Sequence, residues 1–182
     1  DAGYICAMPF LFHWWPADVD IDVKRREFRD DWTVADLHAT FNFLVAHADV
    51  DESRVGLVGH CWGGRVTWLG ACHEPRLRAA ALFYGGRVKL PFADEGPAPI
   101  TLATQIQCPV LGIFGNEDAG PSPQDVDDYQ AALKAAGVEH EFHRYDGAGH
   151  GFQDFTNQER YREQQSEDAW SKALAFFEQT LT

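Results

Sequence analysis

A continuous apolar run, Val55-Gly56-Leu57-Val58-Gly59, leads without a break into Gly59-His60-Cys61-Trp62-Gly63-Gly64, and residues 65–71 then carry a helical pattern. A strand that turns straight into a helix between glycines leaves its central residue at a sharp, strained corner above the edge of a sheet. Gly59 and Gly63 suit that corner because the turn packs backbone closely around the central residue. A thiol placed there lies beside the helix N-terminus, whose free N–H groups and positive dipole end favour thiolate. The Trp62 N–H is at the same point a natural donor to an oxyanion. A free cysteine is more commonly just a small buried apolar residue, so the turn needs company before it means chemistry.

The rest of the chain repeats the strand-then-helix alternation. Residues 2–7 (AGYICA) read as a short buried strand stopped by Met8-Pro9, and residues 10–31 as an irregular segment, aromatic and then charged. Val34, Leu37, Phe41, Leu44 and Val45 recur at helical spacing across 33–47. Buried strands are predicted at 77–84 and 109–114, a long loop at 86–105, a helix at 123–136 closed by Gly137, a strand at 139–145 and an amphipathic helix at 166–181. Short strands that are apolar on both faces and alternate with helices give the α/β class, a mostly parallel sheet with helices on both faces. A chain of 182 residues, 45% of them apolar, is enough for one packed core, so a single domain over 1–182 is expected.

A nucleophilic thiol needs a base, and the base an orienting acid. Asp118 follows the 109–114 strand in Gly115-Asn116-Glu117-Asp118, and His150 follows the 139–145 strand in Gly147-Ala148-Gly149-His150-Gly151-Phe152. The carboxyl ends of parallel strands lie along one edge, where ligands bind, so three loops bring the three residues to one place. Glu117 competes with Asp118, but one residue's shift points it elsewhere. Asp118 by itself also fits a plain helix cap. The other histidines form no tetrahedral cluster, and His140 and His143 point to opposite faces of a strand, so no metal is expected.

The bulk numbers narrow the partners. A net charge of −13 repels phosphate backbones and anionic lipid, which excludes nucleic acid as a partner. No apolar run approaches the roughly 20 residues that span a bilayer, and no basic stretch precedes an apolar one as in a signal peptide. Cys6, Cys61, Cys72 and Cys108 show no CxxC pair, which fits reduced thiols and a cytoplasmic setting.

GHCWGG, the GNED loop followed by Pro121 and Pro123, and GAGHGF are similar to the three signature stretches of the dienelactone hydrolase (carboxymethylenebutenolidase) family; FYG at 83–85 and the Ala2-Gly3-Tyr4…Met8-Pro9 start resemble it too. The resemblance runs over nearly the whole chain. It implies an α/β-hydrolase fold with Cys61 as nucleophile, Asp118 as triad acid, His150 as triad base and Trp62 as oxyanion donor. It implies hydrolysis of small esters or lactones through a thioester acyl-enzyme, with no cofactor. Hydrolysis of another electrophile such as a phosphotriester, and a non-catalytic binding module of the same fold, stay open, because a triad activates the nucleophile without choosing its target.

The chain departs from the family pattern in two ways. Further strands and a helix precede the GY strand in the family and supply a second oxyanion N–H and a glutamate near the cysteine. Their absence leads us to expect a fragment lacking the N-terminal strands, with a gap beside the 55–59 strand, and a homo-oligomer if another chain completes the sheet. The resemblance also implies an arginine four residues after the triad histidine, to bind a substrate carboxylate; here that residue is Asp154. Arg25 and Arg29, in the run with Lys24 and Arg26, and Arg87 are the candidate replacements. The aromatic stretch Phe10, Phe12, Trp14 and Trp15 suits an apolar acyl pocket, so Trp15 and Phe152 complete the expected substrate contacts.

Overall fold

The structure, a computed structural model, describes residues 2–92 and 96–182. Among these residues four strands, β1 (Gly56–His60), β2 (Ala79–Phe83), β3 (Val110–Gly115) and β4 (His140–Tyr145), pair in parallel in the order β1-β2-β3-β4. The register sets Gly59 opposite Leu82, Leu82 opposite Gly112, and Gly112 opposite Phe142. The carboxyl ends of all four strands therefore fall along one edge, which is where the loops bearing Cys61, Asp118 and His150 begin.

Among the described residues five helices accompany the sheet: α1 (Ile21–Arg26), α2 (Asp30–Val45), α3 (Trp62–His73), α4 (Pro123–Ala135) and α5 (Glu163–Thr180). Alternation along β2 and β3 makes two cores. Ala80, Leu82, Val110 and Phe114 pack with Phe41, Trp68, Cys72, Tyr129 and Leu133 from α2, α3 and α4. Ala79, Ala81, Phe83, Leu111 and Ile113 pack with Ala169, Ala173 and Phe177 from α5. Every residue of β2 and β3 is buried, as a strand covered on both faces must be. The α/β class read from periodicity is the observed one.

Boundaries move where local chemistry outweighs periodicity. α2 starts three residues before the predicted 33–47 span, with Asp30 and Asp31 in its first turn where the dipole favours acids. α3 starts at Trp62, immediately after Cys61, rather than at residue 65. α4 starts at Pro123 as predicted, behind a Ser122–Asp125 capping box. Part of the predicted 86–105 loop is a 3-10 turn, Pro99–Gln105, while its residues 93–95 lie outside the described residues.

The strand expected at 2–7 does not form. A strand needs a neighbour for its backbone donors and acceptors, and among the described residues β1 pairs with β2 alone. Residues 2–7 instead run past the β1 edge, and a cavity of about 590 Å³ lies between them, Val55–Val58 and the α5 side chains Trp170, Leu174 and Phe177. Tyr4 and Ile5 are exposed there, as is Val58 on the strand edge. Among the described residues no helix is long and apolar enough to cross a membrane.

Candidate active site

The first of the three loops is the β1–α3 corner. Cys61 sits between the last residue of β1 and the first of α3 with φ 56° and ψ −115°, a conformation that costs a non-glycine residue about 1–3 kcal/mol. Its N–H donates to the Phe83 carbonyl at 2.9 Å, and its own carbonyl accepts from Gly64 and Arg65, which starts α3. The close approaches that permit the corner are only partly those expected. A Cβ on Gly59 would stand 2.1 Å from the Gly63 carbonyl oxygen, and one on Gly64 would stand 2.6 Å from the Phe83 carbonyl oxygen. A Cβ on Gly63 would meet nothing within 4 Å. Gly63 supplies the surface that Gly59 must clear, and Gly64 with Gly85 lets α3 cross β2.

The second and third loops lock to each other. The Glu117 N–H donates to the Ala148 carbonyl at 3.0 Å, and the Asn116 amide donates to Asp146 at 2.6 Å. A Cβ on Gly115 would lie 2.1 Å from the Ala148 oxygen, so only glycine lets the strand pass beneath the histidine loop. Asp118 is 4% exposed whereas Glu117 points outward, so the shift by one residue separates the two acids as anticipated. One Asp118 oxygen accepts from the Gly120 N–H at 2.8 Å; the other lies 2.8 Å from His150 Nδ1.

His150 Nε2 lies 2.9 Å from Cys61 Sγ, so a continuous chain of contacts runs from a buried carboxylate through an imidazole to an exposed sulfur. The hydrogen bond from His150 draws the Cys61 thiol below its ordinary range; the charge on the imidazole and the Trp62 N–H act the same way, against burial and the charge on Asp118. The Asp118 carboxylate, and after it the Cys61 sulfur, push His150 up to about 10. Both shifts favour a thiolate–imidazolium pair. Tyr84, at φ 39°, is 5% exposed and lays its ring 5.3 Å from that of His150, and burial raises its phenol. FYG carried part of the family resemblance, but sequence gave Tyr84 no role; a bulky residue between a buried strand and two glycines was the available signal.

Trp62 is the first residue of α3, and its ring opens the second half of the site. It stacks on Phe92 at 4.7 Å and 12°, stands edge-on to Phe28 at 4.9 Å, and lies 6.3 Å from Phe12. Its Nε1 is buried with no hydrogen-bond partner among the described residues. Trp15 joins this cluster through Phe28, 6.2 Å away, and donates its Nε1–H to Glu27 at 3.1 Å.

The other expected substrate contacts fall differently. Phe152 is fully buried, with its ring 5.5 Å from those of Tyr84 and Tyr145, so it supports Tyr84 from beneath instead of facing a ligand. Arg25 reaches Asp22 at 3.4 Å, and Arg29 grips Asp31 through two bonds of 2.9 Å. Arg87 holds its guanidinium 4.9 Å over the Phe92 ring. Lys24 is buried and donates to the Ala17 carbonyl at 3.4 Å. Each of these four cations is thus engaged within the protein. Among the described residues no group of three or more His, Cys, Asp or Glu side chains is placed to hold a metal ion.

The dienelactone hydrolase family model matches residues 18–181. A protein of Methylorubrum extorquens named "Putative carboxymethylenebutenolidase" is 34% identical over 82% of this chain and 51% of its own length. A Salmonella typhimurium protein of the same name is 37% identical over 82% of this chain and 55% of its own. The chain thus spans about half the length of these curated relatives. The crystal structure of a "Putative Dienelactone Hydrolase" from Klebsiella pneumoniae superposes with a TM-score of 0.79 at 34% identity, covering 88% of this chain and 68% of that one.

Proposed function

Because the chain belongs to the dienelactone hydrolase family, we propose that it hydrolyses small, uncharged esters or lactones, with Cys61 as nucleophile, His150 as general acid–base and Asp118 as the group that orients His150. The observation that carries this reading is the unbroken series of contacts from Asp118 through His150 to Cys61, on an exposed sulfur at a helix N-terminus.

The Cys61 thiolate attacks the carbonyl carbon, and the electron pair of the C=O bond moves to oxygen, where the Trp62 N–H stabilises it. When the C–O bond to the leaving group breaks, His150 gives its proton to the departing alkoxide, leaving a thioester on Cys61. Water then loses a proton to His150 and attacks the thioester, and the carboxylic acid leaves with the thiolate restored. Asp118 keeps the Nδ1 proton on its own side, so Nε2 faces the sulfur throughout.

The preference for uncharged substrates rests on the cations. A substrate carboxylate would have to compete with the aspartates already beside Arg25 and Arg29, and would find Arg87 lying over the Phe92 ring. It would also approach the loop that carries Asp154, whose charge reaches Tyr84 beside His150. The test is burst kinetics with p-nitrophenyl acetate and propionate, with mass spectrometry of the protein. A stoichiometric acyl adduct on Cys61, absent in Cys61→Ala, is the expected outcome; a folded wild-type chain that alkylates at Cys61 but never acylates would end the hydrolase reading.

A further inference from the structure

α3 carries a buried cation that the chemistry above does not use. Arg65, 2% exposed and one turn beyond Cys61, donates from Nη1 and Nη2 to the two Asp30 oxygens at 2.5 and 2.9 Å. It also donates to the Arg87 carbonyl at 3.2 Å and the Leu90 carbonyl at 2.9 Å. Asp30 in turn accepts the Phe92 N–H at 3.1 Å. The Phe92 ring thus meets the Arg65 guanidinium at 4.0 Å, the Arg87 guanidinium at 4.9 Å and the Trp62 indole at 4.7 Å.

A buried ion pair is poor evidence of a device for stability, because apolar residues of similar volume often serve as well or better. A planar fork with fixed bond directions does offer geometry. Here it ties three separate segments, the start of α2, residues 87–92 and the first turns of α3, to one point. The stacked rings carry that constraint to Trp62, whose backbone N–H lies against the sulfur. We propose that Asp30, Arg65 and Phe92 are positioning residues that hold the Trp62 N–H in register with the developing oxyanion. This rests on the hydrolase reading above, and the series predicts where the two separate.

The test compares wild type with Phe92→Leu, which keeps an apolar side chain but removes the stack, and with Asp30→Asn, each corrected for its folded fraction. Two rates are read: acylation of Cys61 by p-nitrophenyl acetate, which forms an oxyanion, and its alkylation by iodoacetamide, which reports the thiolate alone. Acylation should fall at least about tenfold in both variants, short of the 10²–10³ that follows loss of a whole oxyanion donor. Alkylation and its pH profile should stay within about twofold, since the His150 hydrogen bond, the largest cause of the lowered thiol, is untouched and the Trp62 N–H is a lesser one. Equal acylation in variants and wild type overturns the positioning role while leaving the hydrolase reading intact, and so does a parallel fall of both rates. A wild-type chain that alkylates but does not acylate overturns both.

Discussion

Cys61, Asp118 and His150 ride on loops that leave β1, β3 and β4 at one edge of the sheet, each within five residues of a strand end. Phe12, Trp15, Phe28 and Phe92 reach the same neighbourhood from segments with no strand beneath them. The first group is placed by the register of the parallel ladder, and backbone bonds between its loops make that placement redundant. The second depends on ring contacts and on the Asp30–Arg65 pair. A site can therefore have a stiff half and a half that one side chain releases. On the proposed mechanism, the chemistry that needs charge in a fixed place uses the first, and contact with the rest of the substrate uses the second.

The comparison breaks most sharply at Asp118. Asp118→Asn keeps the volume but removes the charge, and with its one oxygen held by the Gly120 N–H it turns an NH2 donor toward His150 Nδ1, so ester turnover should drop about 10²–10⁴-fold. The same change removes the largest cause of the raised His150 value, so the pH profile of Cys61 alkylation should move up toward that of an ordinary thiol. An unchanged profile would mean that Asp118 does not act through the imidazole. In the other half, Asp30→Asn leaves the Arg65 charge buried and half-partnered, and removing one member of a buried pair costs about 3–5 kcal/mol. Denaturant unfolding should show that loss. A cost within about 0.5 kcal/mol, the range for surface substitutions, would place the pair among solvated contacts and weaken the contrast between the halves.

The two halves also differ in how far the sequence foretold them. The Cys61–His150–Asp118 constellation was legible because each member follows a run of strand length, apolar before Cys61 and Asp118 and alternating before His150, at a short, glycine-marked interval, and parallel strands bring such intervals together. Phe92, Phe28, Asp30 and Arg65 left no such mark. Arg65 lies 35 positions from Asp30 and 25 from Leu90, and nothing local says that a lone arginine opening an apolar helix folds inward. Arg25 and Arg29 looked available for a substrate because charge can be read from sequence and pairing cannot; each is held by an aspartate within three positions. The strand misread at 2–7 has a similar origin. Its apolar pattern is that of a strand, but strand formation needs a neighbouring ladder, and the side of β1 that faces these residues is not paired to them.

The smallest expected effect concerns how the stiff half couples to pH. Taken alone, His150 keeps its proton in the fold up to about 10 while the unfolded imidazole releases it near 6.5, so its contribution to stability is complete below 6.5 and drains as pH rises through that window. Cys61 has the opposite sign. Its folded value lies below the ordinary 9.0, so its contribution is complete above 9.0 and is lost as pH falls through the folded value. At pH values above both 6.5 and the folded Cys61 value, and below 9.0, the folded pair holds one proton, on His150, and the unfolded chain also holds one, on the thiol. The two slopes cancel, and stability from this pair is flat there, falling above 9.0 until His150 releases its proton near 10. Cys61→Ala removes one slope and leaves the other, because Asp118 remains the main cause of the His150 shift. Denaturation midpoints of wild type and Cys61→Ala, taken from pH 6 to 10 and compared as a difference, should diverge once the pH passes the folded Cys61 value, with the variant declining more steeply up to 9.0. A constant difference across that range would mean that His150 and Cys61 do not exchange their proton inside the fold, and the thiolate–imidazolium pair would have to be abandoned even if the distances stand.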